Sequence, residues 1–372
     1  MNWFPECRDG GLDRYFHEAL TAFSNSGMEG VATVCSSESS QVGNIAIRAM
    51  GSPITPLWAR QRAARQLARE ALGTGVEVVN VHFALYALAW LRSIPEGVPV
   101  VVHFHGPWAL EMRAEGRSLM ARAAQVIERW VYRRADLCIT LSEAFRDLLH
   151  QEYGVPLDRI RVIPGGVDLA RYLVAPARRE ARQVLGWPQE RRVLLTVRRL
   201  ARRMGLDLLV EAIGEVRKEF PEVLLLIAGK GAERKRLEEQ IAAQALGEHV
   251  RLLGFVAEED LPTAYAAADL TVVPTVALEG FGLVTVESLA AGTPVLGTAI
   301  GGTVEVLRPL QSDLLFTAAT AEAMVEKIKA VLRGEMKLPD REACRSYARR
   351  YGWPEVAPRL LAVFREAVEG KR

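Results

Sequence analysis

The chain has 372 residues, of which 49% are hydrophobic and 25% charged, and its net charge is +2. That composition suits a folded globular protein of about two domains, and it argues against a disordered chain or a polycationic nucleic-acid binder. The four cysteines, Cys7, Cys35, Cys138 and Cys344, are far apart, lack the spacing of a metal or redox site, and read as free thiols of a reducing compartment. No basic region followed by an apolar one opens the chain, so no signal peptide is expected. The most apolar stretch, 76–91, contains Glu77, Asn80 and His82 and is too short and polar to span a bilayer. These features point to a cytoplasmic protein.

In chain order, short β-rich runs alternate with helical patterns almost throughout. Met1 falls directly in what reads as a loop, 2–11, followed by a helix at 12–24. A doubly wound domain normally opens on a strand, so an innermost strand is expected to be missing. A start assigned too far downstream, or a truncated chain, explains this better than a natural short form, which would expose two sheet edges. Gly10 and Gly11 stand at the helix start, where glycine lets the backbone approach a phosphate or simply make a tight turn. Strands follow at 31–34, 45–50, 76–82, 98–103, 137–141 and 161–164, and helices at 57–72, 107–134 and 143–153. Arg62, Arg65 and Arg69 share one helix face, and Arg129, Arg133 and Arg134 cluster at a helix end. A solvated face is the plain reading, and an anionic membrane surface or a phosphorylated acceptor the sharper one. His103-Phe104-His105-Gly106 follows a β-rich run, which puts His105 at a strand end, where doubly wound folds bind ligands. A structural histidine is the competing reading for His105, and it is the one taken for His82 and His103. The His-x-His pair has no third ligand at a telling spacing, so no metal site is expected.

The second half repeats the alternation. Strands are predicted at 193–197, 223–228, 250–253, 270–274, 295–298 and 314–316, and helices at 206–219, 232–245, 258–267, 282–291, 303–307, 321–332, 341–350 and 354–368. Runs apolar on both faces, such as Leu224 to Ile227, suit parallel strands covered on both sides. Two successive βα sets predict an α/β protein of two doubly wound, Rossmann-like domains facing a central cleft. The seam is expected in the polar, proline-containing segment 169–182. The expected division is a first domain at 1–173, a second at 174–352, and a terminal helix at 353–372.

Three loops of the second half carry candidate chemistry. Residues 197–205 hold Arg198, Arg199, Arg202 and Arg203 between a strand and a helix, where guanidinium groups can fork onto phosphate oxygens. Ala228-Gly229-Lys230-Gly231 resembles a phosphate loop, but no third glycine follows at the dinucleotide offset, which weakens a nicotinamide-enzyme reading. In 274–292, Glu279 and Glu287 lie eight positions apart around Gly280-Phe281-Gly282 and a short apolar helix. A glycine-flanked loop opening onto a helix offers backbone N–H groups to an anion. The carboxylates on either side can accept hydrogen bonds from hydroxyls. An anion between hydroxyls describes a sugar nucleotide.

Together these motifs resemble the retaining glycosyltransferases of family 4, which have the two-domain GT-B fold, and the resemblance covers nearly the whole chain. The Glu279–Glu287 motif is its most specific part. Gly165-Gly166-Val167-Asp168, the 197–205 loop, Gly254-Phe255-Val256 and Gly292-Thr293-Pro294-Val295 add to it. The resemblance implies transfer of a sugar from a nucleoside-diphosphate sugar, UDP- or GDP-linked, to a sugar, lipid-linked or small-molecule acceptor. It implies no metal and no further cofactor. From the charge balance no nucleic-acid partner is expected, and the expected location is the cytoplasm, or peripheral at the inner face of the membrane if the arginine-rich helices meet it. By resemblance Glu287 would bind the ribose hydroxyls and Glu279 the donor sugar, with Gly280, Phe281, Gly282 and Leu283 beside them. Arg199 would contact the diphosphate, Gly10 and Gly11 would approach the distal phosphate, Val256 would lie by the base, and His105 would stand beside the reacting sugar. The implied catalytic set is His105, Glu279 and Arg199. The terminal helix would pack back on the first domain. Met204 stands where many relatives carry lysine, so Arg203 or Arg202 is expected to supply the second positive charge. A nucleotide-sugar epimerase, a phosphorylase on the same fold, or a non-catalytic sugar-nucleotide binder would share these residues.

Overall fold

A computed structural model describes residues 11–371, and the chain divides into two compact units, Met1–Val167 with Tyr351–Arg372, and Asp168–Arg350. Unit 1 contains α1 (Gly11–Asn25), β1 (Gly30–Val34), β2 (Ser40–Val42), β3 (Ile45–Ala49), α2 (Leu57–Leu72), β4 (Val79–Val81), α3 (Ala84–Ala87), β5 (Val100–Phe104), α4 (Trp108–Ala114), α5 (Ser118–Tyr132), β6 (Leu137–Thr140), α6 (Glu143–Tyr153) and β7 (Ile160–Val162). Unit 2 contains α7 (Leu169–Leu173), α8 (Arg178–Leu185), β8 (Arg192–Val197), α9 (Leu206–Val216), β9 (Val223–Ala228), α10 (Arg234–Ala243), β10 (Val250–Gly254), α11 (Leu261–Ala267), β11 (Leu270–Val273), α12 (Leu283–Ala291), β12 (Val295–Thr298), α13 (Gly302–Leu307), β13 (Leu315–Phe316), α14 (Ala321–Leu332) and α15 (Arg341–Ala348). The chain then returns to unit 1 as α16 (Trp353–Glu369). The loop predicted at 2–11, with Cys7 and Gly10, lies outside the described residues except for Gly11, the exposed first residue of α1.

Among the described residues, unit 1 has a parallel sheet in the order β4-β5-β6-β7 and a second sheet in which β3 pairs β1 in parallel and β2 antiparallel. The central strand β5 is buried along its whole length, as a parallel strand covered on both faces must be. Local chemistry sets the helix ends. The Ser142 hydroxyl accepts the Phe145 N–H at 3.2 Å to start α6, and Gly154, at φ 71°, stops it. The single helix expected over 107–134 is two, α4 and α5. Gly116 has φ 81°, a left-handed turn that no continuing α-helix contains, and the helix restarts at Ser118. The division between units falls at Val167/Asp168 and not at 173/174, because α7 packs against α12.

The terminal helix α16 packs on α1. Trp353 Nε1 donates to Glu18 Oε2 at 2.8 Å, and Phe364 meets Phe23 edge-on. Gly166 is needed here, since a Cβ would sit 2.6 Å from the Trp353 ring.

Unit 2 is one six-stranded sheet, β10-β9-β8-β11-β12-β13, parallel throughout. Every residue of β9, β11 and β12 is buried. Cys35, Cys138 and Cys344 are buried free thiols, and burial pushes the Cys138 and Cys344 thiols up to about 12. Among the described residues no helix is long and apolar enough to cross a membrane.

Candidate active site

The strand order of unit 2 reverses at β8, with β9 and β10 on one side and β11, β12 and β13 on the other. Loops leaving such neighbouring strands depart toward opposite faces and open a crevice at the carboxyl edge of the sheet. Here those loops are 198–205, after β8, and 274–282, after β11. They carry Arg198, Arg199, Arg202, Arg203 and Glu279.

Glu279 is buried, with 7% of its surface exposed. Its carboxylate pairs with the Arg198 guanidinium and accepts the Thr275 hydroxyl at 2.9 Å. Leu278, just before it, has φ +56°, an uncommon conformation for a residue with a branched side chain. The loop is held there from the other side: Arg203 Nη1 donates to the Leu278 carbonyl at 3.1 Å, and the Val276 N–H donates to the Arg203 carbonyl at 2.9 Å. The Glu279 carbonyl accepts the Gly302 N–H at 3.1 Å. A Cβ on Gly301, at φ +54°, would lie 2.0 Å from the Glu279 carbonyl oxygen, and one on Gly302 would lie 2.5 Å from that of Gly280. The two glycines let the 279–281 backbone rest on the start of α13.

Gly280 leads into buried Phe281 and then Gly282, which caps α12 at φ 80° without any side-chain hydrogen bond. Leu283 opens the helix. The Thr285 and Thr303 hydroxyls flank Gly282, within 3.4 Å of where its Cβ would be, and neither has a hydrogen-bond partner among the described residues. Glu287, 1% exposed, sits in the second turn of α12 and accepts the Tyr265 hydroxyl of α11 at 3.0 Å. The two glutamates thus bracket an uncapped helix start, one in the loop and one in the helix.

The arginine loop splits by direction, because successive residues at a strand end point to opposite sides. Arg198 turns inward to Glu279. Arg199 is exposed and makes no ion pair among the described residues. Arg202 is exposed and faces Glu233 at 3.5 Å, whereas Arg203 and Met204 are buried. Gly229 and Gly231 have a packing reason: a Cβ on either would strike the Arg198 or Leu200 carbonyl, at 1.8 and 2.2 Å. They support the arginine loop from β9. Val256 follows β10 beside the exposed Phe255, whose ring lies 4.5 Å from Lys230 Nζ.

In unit 1, His105 follows β5, with its ring stacked on His103 and edge-on to Tyr15 of α1. Burial lowers the pKa of His82, His103 and His105, that of His103 to about 3, and the neighbouring histidines add to the effect at His82 and His105. All three are neutral imidazoles at neutral pH. The loop after His105 is fixed by Glu128 of α5. Its carboxylate accepts the Trp108 and Ala109 N–H groups at the start of α4 (3.0 and 3.1 Å) and the Tyr132 and Tyr153 hydroxyls (3.1 and 2.9 Å). Burial raises the Glu128 pKa, and these hydrogen bonds oppose that rise. No group of three or more His, Cys, Asp or Glu residues is placed to hold a metal among the described residues.

In unit 2 the structure brings Glu279, Gly280, Phe281, Gly282, Leu283, Glu287 and Arg203 together around one helix start. Sequence reasoning had Arg198 only as one of four loop arginines and missed Thr275, Thr285, Gly301 and Thr303. Only Gly301-Gly302 left a signal, as a double glycine shortly after a predicted strand.

The sequence matches the family described as glycosyl transferases group 1 over residues 177–351 and that described as glycosyltransferase family 4 over residues 9–171. A D-inositol 3-phosphate glycosyltransferase of Catenulispora acidiphila is 32% identical over 310 residues, covering 80% of this chain and 73% of the relative. Among solved structures, sucrose-phosphate synthase from Thermosynechococcus elongatus superposes with a TM-score of 0.80 at 22% identity, covering 97% of this chain and 94% of that one. Anabaena HepE in complex with UDP-glucose superposes with a TM-score of 0.77 at 21% identity, covering 96% and 97%.

Proposed function

Since the chain belongs to the glycosyl transferases group 1 of family 4, with their GT-B fold, and is a glycosyltransferase, we propose that it takes its sugar from a nucleoside diphosphate and passes it to an acceptor hydroxyl with retention of configuration. The observation that carries this reading is the bracketing of the uncapped start of α12 by Glu279 and Glu287, beside the loop of Arg198 to Arg203. Glu287 would accept the ribose hydroxyls. Glu279, its charge balanced by Arg198, would accept hydroxyls of the donor sugar. Val256 would lie against the base, and Gly10 and Gly11 would approach the distal phosphate.

Breaking the bond between the anomeric carbon and the diphosphate oxygen leaves a cationic sugar and a more negative diphosphate. The exposed Arg199 and the amides from Gly280 to Leu283 would meet that charge. Each well-placed donor supplies roughly 2–4 kcal/mol to such a transition state. Arg203 is the better placed of the two arginines to take over from a lysine at the position of Met204, because it is bound to the Glu279 loop while Arg202 faces Glu233 in solvent. The acceptor oxygen attacks the face the diphosphate leaves, and its proton passes to the departing phosphate oxygen. No enzyme nucleophile is required. His105 would donate a hydrogen bond to the reacting donor.

The C. acidiphila relative supports a cyclitol phosphate as the acceptor, and the HepE complex supports a UDP-linked donor. Thermal stabilisation by a panel of UDP-, GDP- and ADP-sugars, followed by transfer to inositol phosphate with the product anomer read by NMR, tests the proposal. The expected result is one stabilising nucleotide sugar and a product of unchanged anomeric configuration. Epimerisation of the donor into another nucleotide sugar without acceptor, or an inverted product, refutes it.

A further inference from the structure

β4 and β5 are neighbours in register, with Asn80 opposite Val101 and Val81 opposite Val102. This pairing brings His82, one residue past β4, beside His103 and His105 at the end of β5. The rings form one cluster of nearly parallel planes: centroids are 4.6 Å apart for His82 and His103, 5.2 Å for His103 and His105, and 5.1 Å for His82 and His105. A line of hydrogen bonds runs through it. Asn80 Nδ2 lies 3.0 Å from His82 Nε2, and His82 Nδ1 lies 2.9 Å from His105 Nε2.

The polarity of that line follows from donor chemistry. A carboxamide nitrogen can only donate, and a neutral imidazole has one N–H and one lone pair. His82 Nε2 therefore accepts from Asn80, so the proton of His82 is on Nδ1 and is donated to His105 Nε2. The proton of His105 is then on Nδ1. That atom is buried and has no hydrogen-bond partner among the described residues. We propose that Asn80 and His82 are positioning residues for glycosyl transfer, whose hydrogen bonds hold His105 as the Nδ1–H tautomer so that it meets an oxygen of the sugar donor as a hydrogen-bond donor and not as a base. This deepens the role given to His105 above and rests on it. The His103 ring and the edge of Tyr15 also pack against the His105 ring and oppose a turn that would exchange its nitrogens. A donor fixed before the ligand arrives needs no reorganisation during the reaction. A carboxamide turned the other way would reverse every bond in the line and leave Nδ1 with a lone pair.

The two polarities are separable by long-range 1H–15N spectra of the full-length protein labelled at its six histidines, with His105 assigned by the signal lost in His105→Ala. The expected wild-type spectrum shows His105 protonated at Nδ1. In His82→Phe, which keeps a ring in the stack but removes the hydrogen bond, His105 shifts toward the Nε2–H form that free neutral imidazoles favour. In that variant kcat falls about tenfold, the worth of one neutral hydrogen bond, while donor affinity stays within about twofold. Asn80→Leu shifts the tautomer in the same direction. An Nε2–H signal in the wild type, or an unchanged tautomer in both variants, overturns the proposal. Undiminished turnover in His105→Ala would instead remove the catalytic role of His105 and leave the tautomer result standing.

Discussion

Acidification tests the histidine stack through His103. This residue is 2% exposed in β5, and burial holds its pKa at about 3 against an ordinary 6.5. The unfolded chain titrates near the ordinary value. Above pH 6.5 the residue is neutral in both states and the fold keeps its full stability. As the pH falls below 6.5 the unfolded chain takes up a proton that the folded protein refuses, so stability is lost progressively down to about pH 3. At pH 5.5 the loss is one pH unit of proton affinity, about 1.4 kcal/mol, and at pH 4.5 roughly twice that. His82 and His105, both lowered, act in the same direction. The groups facing them from α1 are Tyr15 and Phe16, and burial raises the Tyr15 phenol far above this pH range. Hydrogen exchange of the β5 and β6 amides, corrected for intrinsic rates, reads the stability of unit 1 apart from unit 2. Between pH 7.5 and 5.5 the wild type is expected to lose about 1.4 kcal/mol more than His103→Phe, which keeps an aromatic ring without a titrating group. Equal losses in the two proteins would refute the reasoning.

Other expectations follow from single contacts. Arg198→Leu strands the Glu279 carboxylate with only the Thr275 hydroxyl, which costs about 3 kcal/mol of unit 2 stability in urea unfolding, and adding Glu279→Gln should restore part of it. Gly301→Ala drives a Cβ into the Glu279 carbonyl and should weaken donor binding at least about tenfold by titration, the scale of one lost hydrogen-bonded contact. Gly334→Ala, at φ +76° in open space, should lower stability slightly and leave donor affinity alone. Glu128→Leu leaves the Ala109 N–H and two tyrosine hydroxyls unpaired around α4, with the Trp108 N–H keeping only the Gly106 carbonyl, and should cost about 3 kcal/mol or more by thermal denaturation of unit 1.

The alternation of strands and helices was legible because parallel strands such as β9 are apolar on both faces. The Glu279–Glu287 motif was legible because all of it lies within one loop and one helix. What escaped depends on contacts between segments far apart in the chain. Arg198 and Arg199 are chemically identical in the sequence, and only the exit direction of β8 makes one the partner of Glu279 and leaves the other exposed. Glu128 looks like any surface glutamate of a helix until α5 folds against α4. His82 and His103 have no motif around them, and the link of His82 to His105 exists only through the pairing of β4 with β5. The break at Gly116 was available to a reader of the sequence, but a single glycine within a long helical pattern is often tolerated.

The central claim is that the nucleotide and the sugar of one donor are bound at opposite ends of the loop and helix from Glu279 to Glu287. Calorimetric titration of the full-length protein with the preferred nucleoside-diphosphate sugar and with the free nucleoside diphosphate, in the wild type, Glu279→Ala and Glu287→Ala, tests it most directly. The account predicts that Glu287→Ala weakens both ligands about tenfold or more, the loss of a hydrogen-bonded charged acceptor. Glu279→Ala should weaken the sugar-bearing ligand and leave the free diphosphate nearly unaffected. Equal, undiminished binding in both variants, or a loss that ignores whether the sugar is present, would contradict it.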